Sequence, residues 1–176
     1  MNRVITISRQ FGSGGHSIAK AVAERLGIAF YDNNLITEVA KQSGLSEEFI
    51  RENEEYASHS SSFLYQLAMS TAGTYGYPSV YQKLYEAQTK VIQDIADKES
   101  CIIVGRCADY ILRDHPRHIN IFISASKEAR IERLMQLNNI TAEQAEEMME
   151  KADKKRASYY NYYSYKTWGA AATYHL

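Results

Sequence analysis

A glycine-rich stretch near the start of the chain carries residue types that bind phosphate. From Ile7 to Lys20 it reads ISRQFGSGGHSIAK, between a short apolar run and a pattern typical of a helix. The backbone N–H groups of such a turn and the partial positive charge of a helix N-terminus bind phosphate oxygens. The alternative is a tight connection between strand and helix that binds no ligand. The residues that could contact phosphate are Gly12, Ser13, Gly14, Gly15, His16 and Ser17.

One position departs from the usual phosphate-binding loop. Such a loop carries a lysine near its end, followed by a Ser or Thr whose hydroxyl binds magnesium. Here Gly15 stands where the lysine is expected, and His16 follows it. Ser17 still offers a hydroxyl that could reach a phosphate or a magnesium ion. The pattern therefore indicates a phosphate loop that lacks its usual cation.

Two further polar signals follow apolar runs that read as strands. Asp32 follows Ile28–Tyr31, and Gly105-Arg106 follows Cys101–Val104. Ligands of open parallel sheets bind beyond the carboxyl ends of the strands, where the arginine fork can pair with phosphate. Three polar strand ends therefore favour a shared binding cleft.

Both residues also have a purely structural interpretation. Asp32 could cap the helix that follows it, and Arg106 could form a surface salt bridge with Asp109 or Asp114. Neither residue alone decides between these readings. Their occurrence together with the glycine-rich turn favours the functional one.

The elements that would position these residues alternate between strand and helix. Predicted strands are Val4–Ile7, Ile28–Tyr31, Cys101–Val104 and Ile119–Ile123. The first helix is predicted after the glycines to Leu26, with Ile18, Val22 and Leu26, and Ala19 and Ala23 beside them, on one face. Further helices are predicted from an Asn33 cap to Ser43, from Ser46, at 63–69, at 80–97, up to Arg113, from Ser126 to Leu137, and from the Thr141/Gln144 capping box to Ser158. This order predicts an α/β fold with a parallel sheet.

The chain is predicted to form a single domain over residues 1–176. The turn-rich region 53–79 is interpreted as a substrate-facing insert. The segment ATYHL could begin a fifth strand, so the sequence is expected to be incomplete at its C-terminus.

Charged and aromatic residues crowd the last third of the chain. Arg130 and Arg133 lie in one predicted helix, and the next carries a charged run at 151–156. Such a run is usually a solvated face, but an arginine-bearing lid would supply the cations that phosphoryl transfer needs. The tyrosines at 159–165 could stack on a base, or form core or a partner interface.

Composition excludes several classes of function. The formal net charge is −1, which gives no support to binding of a nucleic-acid polymer or a membrane. No apolar stretch approaches the roughly 18 residues of a membrane span, and a cytoplasmic location is expected. The two cysteines, Cys101 and Cys107, are predicted to be reduced thiols in or near the core.

Three segments resemble the cytidylate kinase-like family of the P-loop nucleoside monophosphate kinases. They are ISRQFGSGGHSIAKAVAERLGIAFYDNNLI, CIIVGRCADYILRDHP and INIFISASKEARIERL. The resemblance covers nearly the whole chain in collinear order, although 53–79 matches poorly. It implies a P-loop NTPase-type three-layer sandwich with a parallel sheet and a helical lid around 138–168.

The resemblance also implies roles for individual residues. Cytidylate kinases read roughly G-P-S-G-S-G-K-G-T in the loop, so Arg9 stands in place of the proline and Gly15 in place of the lysine. Met149 stands where a lid arginine is expected. The implied site comprises Gly12, Ser13, Gly14, Gly15, His16 and Ser17 for the ATP phosphates, Ser17 for magnesium, Asp32, Arg106 and Asp153 for the acceptor, and Arg130, Arg156 and His16 for catalysis.

The implied activity is transfer of the γ-phosphoryl group of ATP, with Mg²⁺, to a nucleoside monophosphate, CMP or dCMP first. The missing lysine favours the alternative of a nucleotide-binding regulator or pseudokinase, and a kinase for a non-nucleotide acceptor is a third reading. If the protein is a kinase, a cation from His16, Arg9 or a lid residue replaces the lysine. The tyrosine-rich tail could support a homodimer.

Overall fold

A four-stranded parallel sheet forms the centre of the molecule. The computed structural model describes residues 2–53 and 80–176, so the predicted helix at 63–69 and the insert beyond residue 53 lie outside the described residues. The strands are β1 (Val4–Arg9), β2 (Ala29–Tyr31), β3 (Cys101–Val104) and β4 (His118–Ile123). They lie in the order β2-β3-β1-β4, with every neighbouring pair parallel. The predicted α/β fold with a parallel sheet is confirmed.

Helices connect and cover these strands. They are α1 (Gly15–Leu26), α2 (Leu35–Ser43), α3 (Glu47–Asn53), α4 (Val80–Lys98), α5 (Ala108–Ile111), α6 (Lys127–Asn138) and α7 (Ala142–Ser164), with a 3₁₀ turn at Ala171–Thr173. The capping box of Thr141 and Gln144 opens α7 as predicted. The helix continues past the predicted end at Ser158, because its last turns carry tyrosines that pack into the core.

The residues of β3 explain why helices cover the sheet on both faces, which gives three layers. Successive side chains of a strand point to opposite faces. Ile102 and Val104 pack with Ala19 and Ala23 of α1 on one face. Cys101 and Ile103 pack on the other face, where α2, α4 and α7 contribute the largest apolar cluster. An unbroken apolar strand is therefore what a sheet covered on both faces requires.

The buried face of α1 differs in part from the prediction, which included both the alanines and the larger residues. Ile18 and Leu26 are 47% and 55% exposed, whereas Gly15, Ala19 and Ala23 are buried. The small residues face the sheet because they allow the helix to lie close to β1 and β3. This close packing places the first turn of α1 directly beyond the end of β1.

The start of α2 is also shifted. The helix begins at Leu35 with Asn34, not Asn33, as its N-cap residue. The Asn34 side chain accepts a hydrogen bond from Asp32 N–H at 2.8 Å and donates one to Phe30 O at 3.1 Å. These bonds fix the turn that carries Asp32 at the end of β2.

The chain after α7 returns to the sheet but does not form the predicted fifth strand. His175 N–H donates to Asn120 O, and Phe122 N–H donates to Leu176 O, so the final residues run beside β4. The two cysteines are free and buried, as predicted. Within residues 2–53 and 80–176, no helix has the length and apolar character of a membrane span.

A histidine at the start of β4 is expected to make the stability of the fold sensitive to acid. His118 Nε2 lies 2.7 Å from Thr6 Oγ1, and burial, with smaller effects of His175 and His115, lowers the pKa of His118 from 6.5 to about 4. The unfolded chain therefore binds the proton more readily than the folded one between these values. Stability is lost as pH falls from 6.5 towards 4.

Replacing His118 with Gln should remove about 2 kcal/mol of the loss in unfolding free energy between pH 7 and pH 5. Gln keeps a polar atom for Thr6 but does not titrate. Urea unfolding at both pH values measures the difference. His115→Gln in the adjacent turn is the control and should keep most of the parent's pH dependence, because His115 makes only a minor contribution to the lowered pKa of His118. Equal pH dependence of His118→Gln and the parent would contradict the assignment.

Candidate active site

The glycine-rich turn between β1 and α1 opens onto a cavity of about 330 Å³. Gly12 and Gly14 have φ angles of 78° and 83°, which glycine adopts without a steric penalty. The first helical hydrogen bond joins Ile18 N–H to Gly14 O, so the N–H groups of residues 15–17 lie at the open end of the helix. The turn thus presents backbone donors where an anion could bind.

Side chains of the turn divide between this cavity and the interior. His16 and Ser17 line the cavity together with the three glycines. Ser13 is buried, and its hydroxyl donates to Gln10 O at 2.8 Å. The Ser13 hydroxyl therefore closes the turn. Its predicted contact with phosphate stays a prediction.

Asp32 is the acidic centre of the cleft. Its side chain is 9% exposed, and Oδ2 lies 2.6 Å from His16 Nδ1. Oδ1 lies 3.6 Å from Arg106 Nη1 and 3.9 Å from Arg9 Nη2. The carboxylate thus faces two arginines and a half-exposed imidazole. It draws the end of β2 towards the ends of β1 and β3.

Arg106 is held in the cleft by an unusual backbone. Gly105, Arg106 and Cys107 have consecutive positive φ angles of 76°, 56° and 54°. Non-glycine residues in this region are strained by about 1 kcal/mol or more, and such strain clusters at functional sites. The Arg106 side chain is only 5% exposed. Its predicted alternative partners pair elsewhere, since Asp109 accepts from the Tyr160 hydroxyl and Asp114 pairs with Arg113.

A second, narrow cavity of about 20 Å³ lies beside Arg106 at the ends of β1 and β3. Arg9 and Arg156 line both this cavity and the larger one at the glycine-rich turn. Arg9 and Arg156 thus border both cavities, and Arg106 borders the narrow one. This excess of positive charge suits two anions that approach each other.

Arg130 and Asp153 contact the turn from behind. Asp153 Oδ1 accepts from Phe11 N–H at 2.8 Å, and Arg130 Nε donates to Phe11 O at 2.7 Å. Arg130 and Asp153 also pair directly with each other. The pair therefore satisfies both backbone groups of Phe11 and fixes the entry of the turn. The predicted catalytic role of Arg130 and acceptor role of Asp153 stay predictions beside this positioning contact.

Arg156 lies one helical turn beyond Asp153 on α7. Its Nη1 donates to Arg9 O at 3.2 Å, and its guanidinium lies 5.3 Å from the centre of the Phe11 ring. Met149, at the position where the resemblance implied a lid arginine, is 5% exposed and packs with Leu134 and Ala145. The first half of α7 thus packs on α6 and the turn.

The tyrosines at the end of α7 are core residues. Tyr159, Tyr160 and Tyr163 belong to the largest apolar cluster. The Tyr159 hydroxyl donates to Gln88 and the Tyr160 hydroxyl to Asp109, both buried. Burial raises the pKa of both phenols, so they remain neutral donors. Of the interpretations open from the sequence, these three tyrosines take the structural one.

Two arginines matter more than the sequence pattern suggested. The sequence offered Arg9 only as one of several cations that could replace the lysine, and the structure places it in the lining of both cavities. Arg133 is exposed, and its Cζ lies 3.2 Å from where a Cβ on Gly14 would stand. The sequence named both arginines but assigned neither to the implied site, because their distances from the turn depend on the packing of the sheet and α6.

A parallel sheet with a phosphate-loop turn after its first strand and arginines at the neighbouring strand ends defines a P-loop kinase fold. The chain belongs to the cytidylate kinase-like family, whose model matches residues 4–176.

Solved structures support this assignment at the level of fold. An uncharacterized protein from Eubacterium ventriosum is 32% identical, with a TM-score of 0.72, over 99% of this chain and 85% of that one. A shikimate kinase from Bacteroides thetaiotaomicron is 18% identical, with a TM-score of 0.50, over 90% and 81%. A search of curated proteins returned no match.

Asp153→Ala should lower the unfolding free energy by about 3 kcal/mol, because it leaves the buried Arg130 and Phe11 N–H without their partner. Urea unfolding at pH 7 measures this loss. Glu146→Ala is the matched control, since it removes the exposed Lys127–Glu146 pair between the same two helices, where solvent screens the charges. Equal losses of unfolding free energy in the two variants would contradict the conclusion that Arg130 and Asp153 fix the entry of the turn.

Proposed function

We propose that this protein transfers the γ-phosphoryl group of ATP to a nucleoside monophosphate, with CMP or dCMP as the first acceptor to test. The observation that carries the proposal is the junction of two cavities, one at the glycine-rich turn and one beside Arg106, which share Arg9 and Arg156. A donor phosphate chain and an anionic acceptor meeting there would have their charge offset by the three guanidinium groups.

The turn would hold the donor. Backbone N–H groups of residues 14–17 would bind the β- and γ-phosphates, and the strain-free positive φ angles of Gly12 and Gly14 permit close approach. Ser17, which lines the same cavity, fits a Mg²⁺ ligand because its hydroxyl is placed with the turn's donors. Bound Mg²⁺ neutralises charge on the phosphates.

The acceptor would lie beside Arg106, where its phosphate requires the narrow cavity to open beyond its present volume of about 20 Å³. A guanidinium pairs with a phosphate through two parallel hydrogen bonds, and Arg106 is held rigidly by its backbone and by Asp32. Positioning and charge neutralisation are sufficient for this class of transfer, since a phosphate oxygen is already ionised at neutral pH.

A specific contact favours a second candidate, a kinase for a small anionic molecule that carries a hydroxyl acceptor. The 2.6 Å contact of Asp32 Oδ2 with His16 Nδ1 orients an imidazole in the cleft, and a hydroxyl, unlike a phosphate, must lose a proton during transfer. A nucleotide-binding regulator is the third candidate, because the loop lacks the lysine that usually contacts the phosphates during transfer.

One assay separates the three candidates. The protein is incubated with ATP and Mg²⁺ and a panel of nucleoside monophosphates and hydroxy acids, including shikimate, and ADP and phosphorylated product are quantified. Product with CMP or dCMP supports the proposal, and product only with a hydroxy acid supports the second candidate. ATP binding without product from any acceptor would support the regulator.

Arg106→Ala should lower kcat/KM for the acceptor at least tenfold, about 1.4 kcal/mol, while the KM for ATP stays close to that of the parent. Steady-state kinetics at varied acceptor concentration measure this effect, and thermal unfolding checks that the variant is folded. Arg113→Ala, which removes an exposed arginine on the same connection, is the control. Parent-like kinetics of Arg106→Ala would remove Arg106 from the site.

A further inference from the structure

We propose that Arg9 replaces the missing lysine of the phosphate loop and contacts the γ-phosphoryl group during transfer. The inference rests on the proposed function for its catalytic part. Arg9 ends β1, so its backbone is fixed by the sheet, through Ile123 in β4. Its carbonyl is held by Arg156, whose Nη1 donates to it at 3.2 Å.

The first argument is steric. A Cβ added to Gly15 would stand 2.5 Å from Arg9 Cβ and 2.9 Å from Arg9 Cγ. The position of Cβ is fixed by the backbone, so this atom cannot move aside without moving the strand. The stem of Arg9 therefore occupies the space in which a side chain at position 15 would begin. Glycine at position 15 is therefore required while position 9 carries a side chain.

The second argument is the position of the guanidinium group. Arg9 Nη1 lies 2.3 Å from where a Cβ on Gly105 would stand, so the group extends across the cleft to the end of β3. A side chain at position 105 would meet the guanidinium group along this path. Arg9 Nη2 lies 3.9 Å from Asp32 Oδ1, and the side chain is 15% exposed. Its charge thus lies between the larger cavity at the glycine-rich turn and the narrow cavity beside Arg106.

The other candidate cations are less well placed. His16 is directed at Asp32 by the 2.6 Å contact, and its side chain is 55% exposed. Arg130 is committed to Phe11 and Asp153 behind the turn. Arg156 lines both cavities, but it is carried by α7 and not by a strand of the sheet. Arg9 alone among these residues is carried by the sheet itself and lies between the cavities.

This placement suits the chemistry of the transfer. The bond between the γ-phosphorus and the bridging oxygen of ATP breaks, and that oxygen leaves on ADP with the electron pair. A new bond forms from the γ-phosphorus to an oxygen of the acceptor. Charge spreads over the equatorial oxygens of the transferred group on the way. A fixed guanidinium at the junction offsets this charge without rearrangement of solvent.

The binding experiment does not depend on turnover. Calorimetric titration with ATP–Mg²⁺ and with ADP–Mg²⁺ compares the parent with Arg9→Gln and Arg9→Met, of which Met keeps a stem to pack under Gly15. We expect Kd for ATP to rise at least tenfold and Kd for ADP to rise much less. Arg25→Gln, at an exposed arginine at the end of α1, should leave both unchanged. If either folded neutral variant binds both nucleotides as the control does, the proposal is wrong.

The catalytic experiment uses the acceptor identified by the panel assay. Both neutral variants should lose at least tenfold in kcat with little change in the KM of the acceptor, and Arg9→Lys should retain more kcat than Arg9→Met. Equal losses in Arg9→Lys and Arg9→Met would overturn a role for the charge.

Exchange of the two positions gives a direct test of the steric argument. Gly15→Lys alone should lower both the thermal midpoint and kcat, because its Cβ meets Arg9. The double variant Arg9→Gly/Gly15→Lys lacks the blocking atoms. Its kcat should be at least tenfold higher than that of Arg9→Gly alone. A Gly15→Lys variant as stable and active as the parent would contradict the proposal. If the parent phosphorylates no acceptor, the proposed function fails, whereas the ATP and ADP titrations still decide the binding role of Arg9.

Discussion

One buried carboxylate makes the rest of the cleft feasible. Asp32 lies within ion-pair distance of Arg9 and Arg106, and its carboxylate contacts the imidazole of His16. Burial of several cations without an acidic partner would be very costly. With Asp32 present, the two guanidinium groups can be kept desolvated and fixed in place before any ligand binds. The same carboxylate ties three strand ends together, so charge balance and the geometry of the cleft depend on one side chain.

The helix α7 joins this cleft to the core. Its middle carries Asp153 and Arg156, which hold the backbone of Phe11 and Arg9. Its last turns bury tyrosines against α4 and the sheet. A helix fixed by apolar packing on both sides of its middle can place polar contacts there with little loss of entropy. The entry of the glycine-rich turn is therefore supported by the same element that completes the core.

Much of the fold could be predicted from local patterns. Apolar strand runs, glycine helix ends and the Thr141/Gln144 capping box report interactions between residues close in sequence, and the structure confirms them. The predictions failed where packing over a distance decides. Ile18 and Leu26 have the correct spacing for a buried face, but of the predicted face it is Ala19 and Ala23 that approach the sheet and are buried. The tyrosines extend α7 because the core, not the helix sequence, gives them partners.

For the site, the sequence by itself determined which chemistry is available: glycines for a phosphate turn, Asp32 and Arg106 at strand ends, and no lysine at position 15. Only the tertiary structure decided how these residues combine. It brings Arg9 under Gly15 and across Gly105, and it turns Arg130 and Asp153 towards the backbone of Phe11. The reason is physical. Residue types and local spacing fix the donors and charges, whereas their distances depend on strand order and helix packing, which join residues far apart in the chain.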